Sequence, residues 1–126
     1  MDRDLGMVET ERLGDSLWVL KLAGEHDLST APAIDAAFER IEATGTTVVV
    51  DFTQTSFIDS TVIAALARRS RSGETLLLVV PRRGAVRRAL ELTGVSKLLP
   101  VFDTRAAALR AVPPDDQPAG VMQPGA

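Results

Sequence analysis

Between positions 46 and 71 the pattern of apolar residues changes its period. Val48, Val49 and Val50 are consecutive and β-branched, as in a strand covered on both faces within a parallel sheet flanked by helices. A polar stretch after Asp51 reads as a short bend. Beyond Phe57 and Ile58, residues Ile63, Leu66, Ala67 and Ser70 recur at i, i+3, i+4 and i+7 and therefore share one helical face. Asp59 stands where an N-cap belongs, its carboxylate within reach of the backbone N–H of Thr61 or Val62. The segment thus predicts a buried strand, a bend, and a helix with Ser60 and Thr61 in its first turn.

The remaining pattern builds around that unit. A weak alternation over 7–12 and an apolar segment over 17–23 flank the turn residues Gly14, Asp15 and Ser16, which predicts an N-terminal hairpin. In its second strand Trp18, Leu20 and Leu22 face one side, and Leu17, Val19 and Lys21 the other. Residues 24–27 end that strand in a polar loop, which makes His26 a surface-loop residue. Ser29 and Thr30 offer capping hydroxyls, Pro32 fits a first helical turn, and Ile34, Ala37, Phe38 and Ile41 form the stripe of a helix over 31–43 stopped by Gly45.

Gly73 then breaks the chain. Residues 76–80 (LLLVV) predict a second fully buried strand, joined to the first by a right-handed crossover. Val86, Ala89, Leu90 and Thr93 mark a third helix closed by Gly94. Residues 98–102 read as a short final strand. Asp103 or Thr104 caps a last helix with Ala106 and Leu109 on one face, ending before Pro113. The order β-β-α-β-α-β-α-β-α predicts an α/β fold, a single mixed sheet of about five strands packed against about four helices. One domain is expected over 7–112, with a flexible N-terminus over 1–6 and a disordered, Pro-, Gly- and acid-rich tail over 113–126.

Composition narrows the function classes. The 126 residues are 45% hydrophobic, carry a formal charge of −3 and contain no cysteine. Disulfide, thiolate and cysteine–zinc chemistry are excluded, and there is no general pull toward nucleic acid or anionic membrane. No apolar run reaches the ~18 residues of a membrane span, and 1–10 lacks the apolar core of a signal peptide. A cytoplasmic protein is expected.

Enzymatic chemistry finds little support. No glycine-rich phosphate loop and no G-x-S-x-G elbow is present, and the one histidine lies far from Ser60. Asp51 and Asp59 both follow the buried strand, but a strand-end acid and a helix cap account for them without a metal. Arginines come in groups, Arg68, Arg69 and Arg71, then Arg82 and Arg83, then Arg87 and Arg88. They solubilise helix surfaces, or hold an acidic partner or a phosphate. The feature with regulatory potential is the hydroxyl pair. A phosphoryl group on Ser60 or Thr61 adds about −1.5 to −2 charges at a helix entrance whose dipole and free N–H groups tolerate an anion. It would alter what that surface docks without unfolding the domain.

The residues resemble the STAS domain, specifically stand-alone anti-sigma factor antagonists. The match is carried by GEHDLSTAP (24–32), VVVDFTQTSFIDSTVIAAL (48–66), VRRALELTGVSKLLPVF (86–102) and FDTRAAALRA (102–111). The Asp59-Ser60-Thr61 segment is the most specific of these. One departure is Val62, where the family usually has glycine; valine adds a β-branched side chain at the helix start. The resemblance implies a protein-binding switch without catalysis or cofactor. Its unmodified form binds an anti-sigma factor that is also a serine kinase, phosphorylation at the start of the second helix ends the capture, and a phosphatase restores it. Ser60 is the first choice of acceptor and Thr61 the second, and Asp27, Asp59, Ser60, Thr61 and Val62 form the docking surface. The free protein is expected to be monomeric. The alternative is a constitutive STAS adaptor subunit of a larger signalling or transport assembly without a phospho-switch.

Overall fold

The computed structural model describes residues 6–41 and 46–114. The expected tail beyond Pro114, the first five residues and the predicted helix stop at Gly45 lie outside the described residues. Five strands form one sheet in the order β1 (Met7–Gly14), β2 (Leu17–His26), β3 (Thr47–Ile58), β4 (Thr75–Val79) and β5 (Val101–Phe102). β1 and β2 pair antiparallel through the predicted hairpin; every later pairing is parallel.

The helices α1 (Ala31–Arg40), α2 (Ser60–Arg71) and α3 (Ala85–Leu92) connect successive parallel strands. Strand order follows chain order, so right-handed crossovers put all three on one face. There they cover the main core, in which Leu20, Leu22, Phe38, Val48, Val50, Phe52 and Leu66 are buried. The opposite face carries a smaller cluster, with Leu17, Val19, Val49, Leu77 and Val79 under the last helix, α5 (Arg105–Arg110). The alternation predicted for β2 is therefore real: Leu20 and Leu22 point into one layer, Leu17 and Val19 into the other. Trp18 is half-buried at the edge of the main core.

Four expectations need correction. The polar stretch after Asp51 is not a bend. β3 runs on to Ile58, paired with β2 as far as His26↔Ile58, while its pairing with β4 ends at Asp51↔Val79. Residues 52–58 thus project beyond β4 with only β2 beside them in the sheet, and polar side chains are tolerated on their open side. Of the expected face of α2, Leu66 is buried and Ile63 packs partly against the core, but the other fully buried positions are Val62 and Ala65, with Ala67 and Ser70 only half-buried. An extra one-turn helix, α4 (Val95–Leu98), precedes β5 and makes the helices five. In α5 the fully buried residue is Ala108, with Val112 following; Leu109 packs partly against the same cluster, and Ala106 is exposed.

Candidate functional site

The register fixes which residues meet. β2 and β3 are parallel and end together at the pair His26↔Ile58. Asp27 and Asp59, each the next residue along, therefore leave the sheet side by side at strands roughly 4.8 Å apart. One enters the loop to α1, the other the first turn of α2. The 52–58 extension carries both beyond the β4 edge.

Asp59 is the N-cap of α2. Its Oδ1 accepts from Thr61 N–H at 2.9 Å and Val62 N–H at 3.3 Å, and its backbone is extended as capping requires. The donors that sequence reasoning left free for an anion are thus already engaged by this carboxylate. Ser60 is exposed, and its hydroxyl makes no hydrogen bond among the described residues; Thr61 is half-buried. Val62, expected on the docking surface, is fully buried in the main core. In this arrangement it supports the helix entrance from beneath and offers no surface to a partner.

The loop after β2 is tied as firmly. Asp27 Oδ1 accepts from the Ser29 N–H at 2.9 Å and the Ser29 hydroxyl at 2.6 Å, an Asx turn that presents Leu28 at 71% exposure. Beneath it lies His26, which is not a surface residue. Its ring is fully buried, with Nε2 2.9 Å from the Ala23 carbonyl and Nδ1 3.1 Å from the Thr30 hydroxyl. Burial lowers its pKa below the usual histidine value, against the opposing pull of the Ala23 and Met7 backbone and the Asp27 charge. The signal was present in the sequence. Leu20, Leu22, Gly24 and His26 share the period-2 face that points into the core.

The remaining candidates serve the scaffold. Asp51 and Asp59, weighed above as a cation pair, are separated by the whole 52–58 extension. Asp51 is buried and held by Arg105, while burial's upward push on its carboxyl is outweighed by donation from the Thr53 hydroxyl and amide and from Arg105, so its pKa is lowered. Arg68 pairs with Asp35 at 3.6 Å, and Arg69 stacks over Phe38 at 5.3 Å, so both tie α2 to α1. Arg82 and Arg87 converge on Asp103 at 2.8 and 2.9 Å. No helix among the described residues is long and apolar enough to cross a membrane.

What the fold and this end of the sheet define is a small α/β module that displays the Ser60 hydroxyl beside Asp59, with Asp27 on the neighbouring strand. The chain belongs to the STAS domain family, whose model matches residues 7–108. It is 35% identical over 97 residues to the anti-sigma-F factor antagonist RsfB of Mycobacterium tuberculosis, an alignment covering 75% of this chain and 80% of that protein. A solved anti-sigma factor antagonist from Mycobacterium paratuberculosis superposes with a TM-score of 0.72 at 30% identity, covering 86% of this chain and 95% of the other. SpoIIAA in its unphosphorylated form has the same fold, with a TM-score of 0.60 at 21% identity over 84% of this chain and all of that one.

Proposed function

We propose that this chain is an anti-sigma factor antagonist that captures an anti-sigma factor through the Asp27–Asp59 end of its sheet, and that phosphorylation of Ser60 ends the capture. The bound protein is an anti-sigma factor with serine kinase activity, and a phosphatase returns the alcohol. The effect reaches transcription through the sigma factor that the captured protein lets go. One observation carries this reading. Ser60 is exposed in the first turn of α2, directly after the Asp59 cap, and its hydroxyl makes no hydrogen bond among the described residues.

The electrostatics give the switch its direction. Asp59 already occupies the Thr61 and Val62 amides, so a phosphoryl group on Ser60 finds a helix entrance that holds one negative charge and a second acid, Asp27, on the neighbouring strand. About two added charges and the bulk of a phosphoryl group there no longer fit a partner surface formed around a small hydroxyl beside two acids. The helix itself survives, because its dipole still favours anions at this end. Thr61 is the poorer acceptor, being half-buried. The 35% identity to RsfB, named an anti-sigma-F factor antagonist, supports the class of partner. SpoIIAA, which shares the fold, has also been solved in a phosphorylated form, which supports a domain of this fold that bears the modification.

The test is direct. The purified chain is incubated with the anti-sigma kinase that it captures and with ATP, and phosphate incorporation is followed by intact mass. Incorporation should vanish in Ser60→Ala, persist in Thr61→Ala, and release the kinase. Stable capture without incorporation would replace the switch with a constitutive adaptor.

A further inference from the structure

At the proposed docking end, His26 touches three of the segments that meet there. Its ring lies between the start of β1, the end of β2 and the entrance of α1. A carbonyl can only accept, so the 2.9 Å contact with Ala23 oxygen requires the proton on Nε2, leaving Nδ1 as an acceptor 3.1 Å from the Thr30 hydroxyl. The same hydroxyl receives the Asp27 N–H at 3.1 Å and lies 3.2 Å from the Asp27 carbonyl. With its one proton given to Nδ1, the hydroxyl links the imidazole to the Asp27 N–H, and the Asp27 carbonyl stands beside it as the alternative acceptor. The strand-start backbone closes the other side: a Cβ added at Gly6 would fall on the Glu25 carbonyl and within 2.9 Å of two ring atoms.

We propose that His26, as a neutral imidazole carrying its proton on Nε2, holds the 27–30 loop in its docking shape, and that acid, by protonating the ring, loosens the loop and releases the partner. The proposal rests on the reading that this end of the sheet binds the anti-sigma kinase, and it adds a second input to that surface besides Ser60. Protonation turns Nδ1 from acceptor into donor, so the Thr30 hydroxyl must reverse its bond to the ring and turn its own proton to the Asp27 carbonyl. It also places a charge in a fully enclosed site. Among the described residues the charge acting on the ring is that of Asp27, which is itself part of the loop; β1 contributes backbone at Gly6 and Met7, and α1 the uncharged Thr30 hydroxyl. Hydrating the imidazolium requires either the Gly6 backbone or the 27–30 loop to lift, and the loop has exposed Leu28 and Ser29 with no core contact to hold it. Burial depresses the ring's pKa, which keeps the lock closed at neutral pH and opens it only in acid.

Two measurements decide this. In the free wild-type protein, long-range imidazole 15N–1H correlations should show the Nε2–H tautomer at neutral pH, and amide exchange of Asp27 and Ser29 should accelerate about tenfold as the ring titrates below about 6.5. A ring with its proton on Nδ1, or titration that leaves those amides unchanged, overturns the proposal. Affinity for the captured kinase should be about tenfold weaker at about pH 5.5 than at about pH 7.5, and flat across that range in His26→Gln, whose amide can donate to Ala23 and accept from Thr30 but cannot titrate. An affinity equally pH-dependent in His26→Gln, or pH-independent in the wild type while the loop opens, overturns the link to docking. Absence of kinase binding at every pH defeats the antagonist reading instead, and the exchange data still decide whether His26 locks the loop.

Discussion

Arg105 and Asp51, 54 positions apart in the chain, meet through two contacts on a single carboxylate oxygen, Nε at 3.0 Å and Nη2 at 2.9 Å from Oδ2. The other oxygen takes the Thr53 amide at 2.8 Å. Arg105 is the first residue of α5, so this pair pins the last helix onto the open face of the sheet, and Glu11 of β1 at 3.8 Å extends the link to the edge strand. Removing the guanidinium leaves a buried carboxylate short of donors. Since the guanidinium is partly exposed, its loss in Arg105→Ala should cost about 1–3 kcal/mol, less than a fully buried pair, read as a lower midpoint in urea at unchanged slope.

The same pair sets a pH dependence. Asp51 is held below the ordinary carboxylate value in the fold, so the unfolded chain takes up its proton first as pH falls. The stability it contributes is present above about pH 4 and is lost as pH drops through the folded value. Urea titrations between about pH 5 and 2 should show a steeper decline in the wild type than in Asp51→Asn. Parallel curves would remove the pair from the account of acid stability.

Val62, where the resemblance leads one to expect glycine, carries a side chain that is wholly buried in the main core. Restoring the glycine deletes the buried methyls and loosens the first turn. Val62→Gly should therefore lose about 3 kcal/mol, while Val62→Ala loses less. Because the side chain does not reach the surface, kinase affinity measured well below the unfolding temperature should stay within about twofold of wild type for Val62→Ala. A large affinity loss would put Val62 back on the docking surface.

The sequence pattern disclosed the scaffold where one period was unambiguous and misled where two were available. Val48–Val50 and 76–80 permit only buried strands. In α2, however, the stripe through Ile63 and Ala67 and the stripe through Val62 and Ala65 share Leu66 and fit a 3.6-residue period equally well. The choice between them is made by where Asp59 starts the helix and by the sheet beneath. The polar 52–58 segment looked like a bend because hydrogen bonding to β2, which makes it a strand, leaves no mark on side-chain hydropathy. The polar run over 24–27 makes His26 resemble a loop residue, although its parity with Leu20 and Leu22 points inward. Of the site, Asp59, Ser60 and Asp27 were legible from motif and capping logic. The Thr30 bridge and the Arg105 pin were not, since they depend on tertiary contacts across the fold.

Glu74 carries a strain that a single change relieves. Its side chain is buried, Oε2 has no hydrogen-bond partner among the described residues, and Arg69 stands off at 4.0 Å. Burial raises its pKa, only partly countered by Arg69. The folded state binds this proton more tightly than the unfolded chain, so the ionised group subtracts stability once pH rises above the ordinary glutamate value. Glu74→Gln should stabilise the protein at pH 7 by about 1 kcal/mol, and the gain should vanish near about pH 4. A destabilised variant would mean that the Arg69 attraction outweighs the cost of burial.

The charge at the α2 entrance gives the last prediction. Ser60→Asp adds one negative charge next to Asp59, whose carboxylate is fixed by the Thr61 and Val62 amides and cannot swing away. The expected cost to kinase binding is at least ~1.4 kcal/mol, or tenfold, whereas Ser60→Ala leaves affinity near wild type. If the loss is electrostatic, Ser60→Asp combined with Asp59→Asn recovers part of it, because asparagine keeps the N-cap within a few tenths of a kcal/mol while removing the neighbouring charge. Raising ionic strength from about 0.05 to 0.5 M should likewise narrow the gap between Ser60→Asp and wild type, since charges on an exposed surface are screened over less than about 10 Å. A penalty that ignores both salt and Asp59→Asn would be steric, and phosphorylation would then act by bulk at the contact and not by charge.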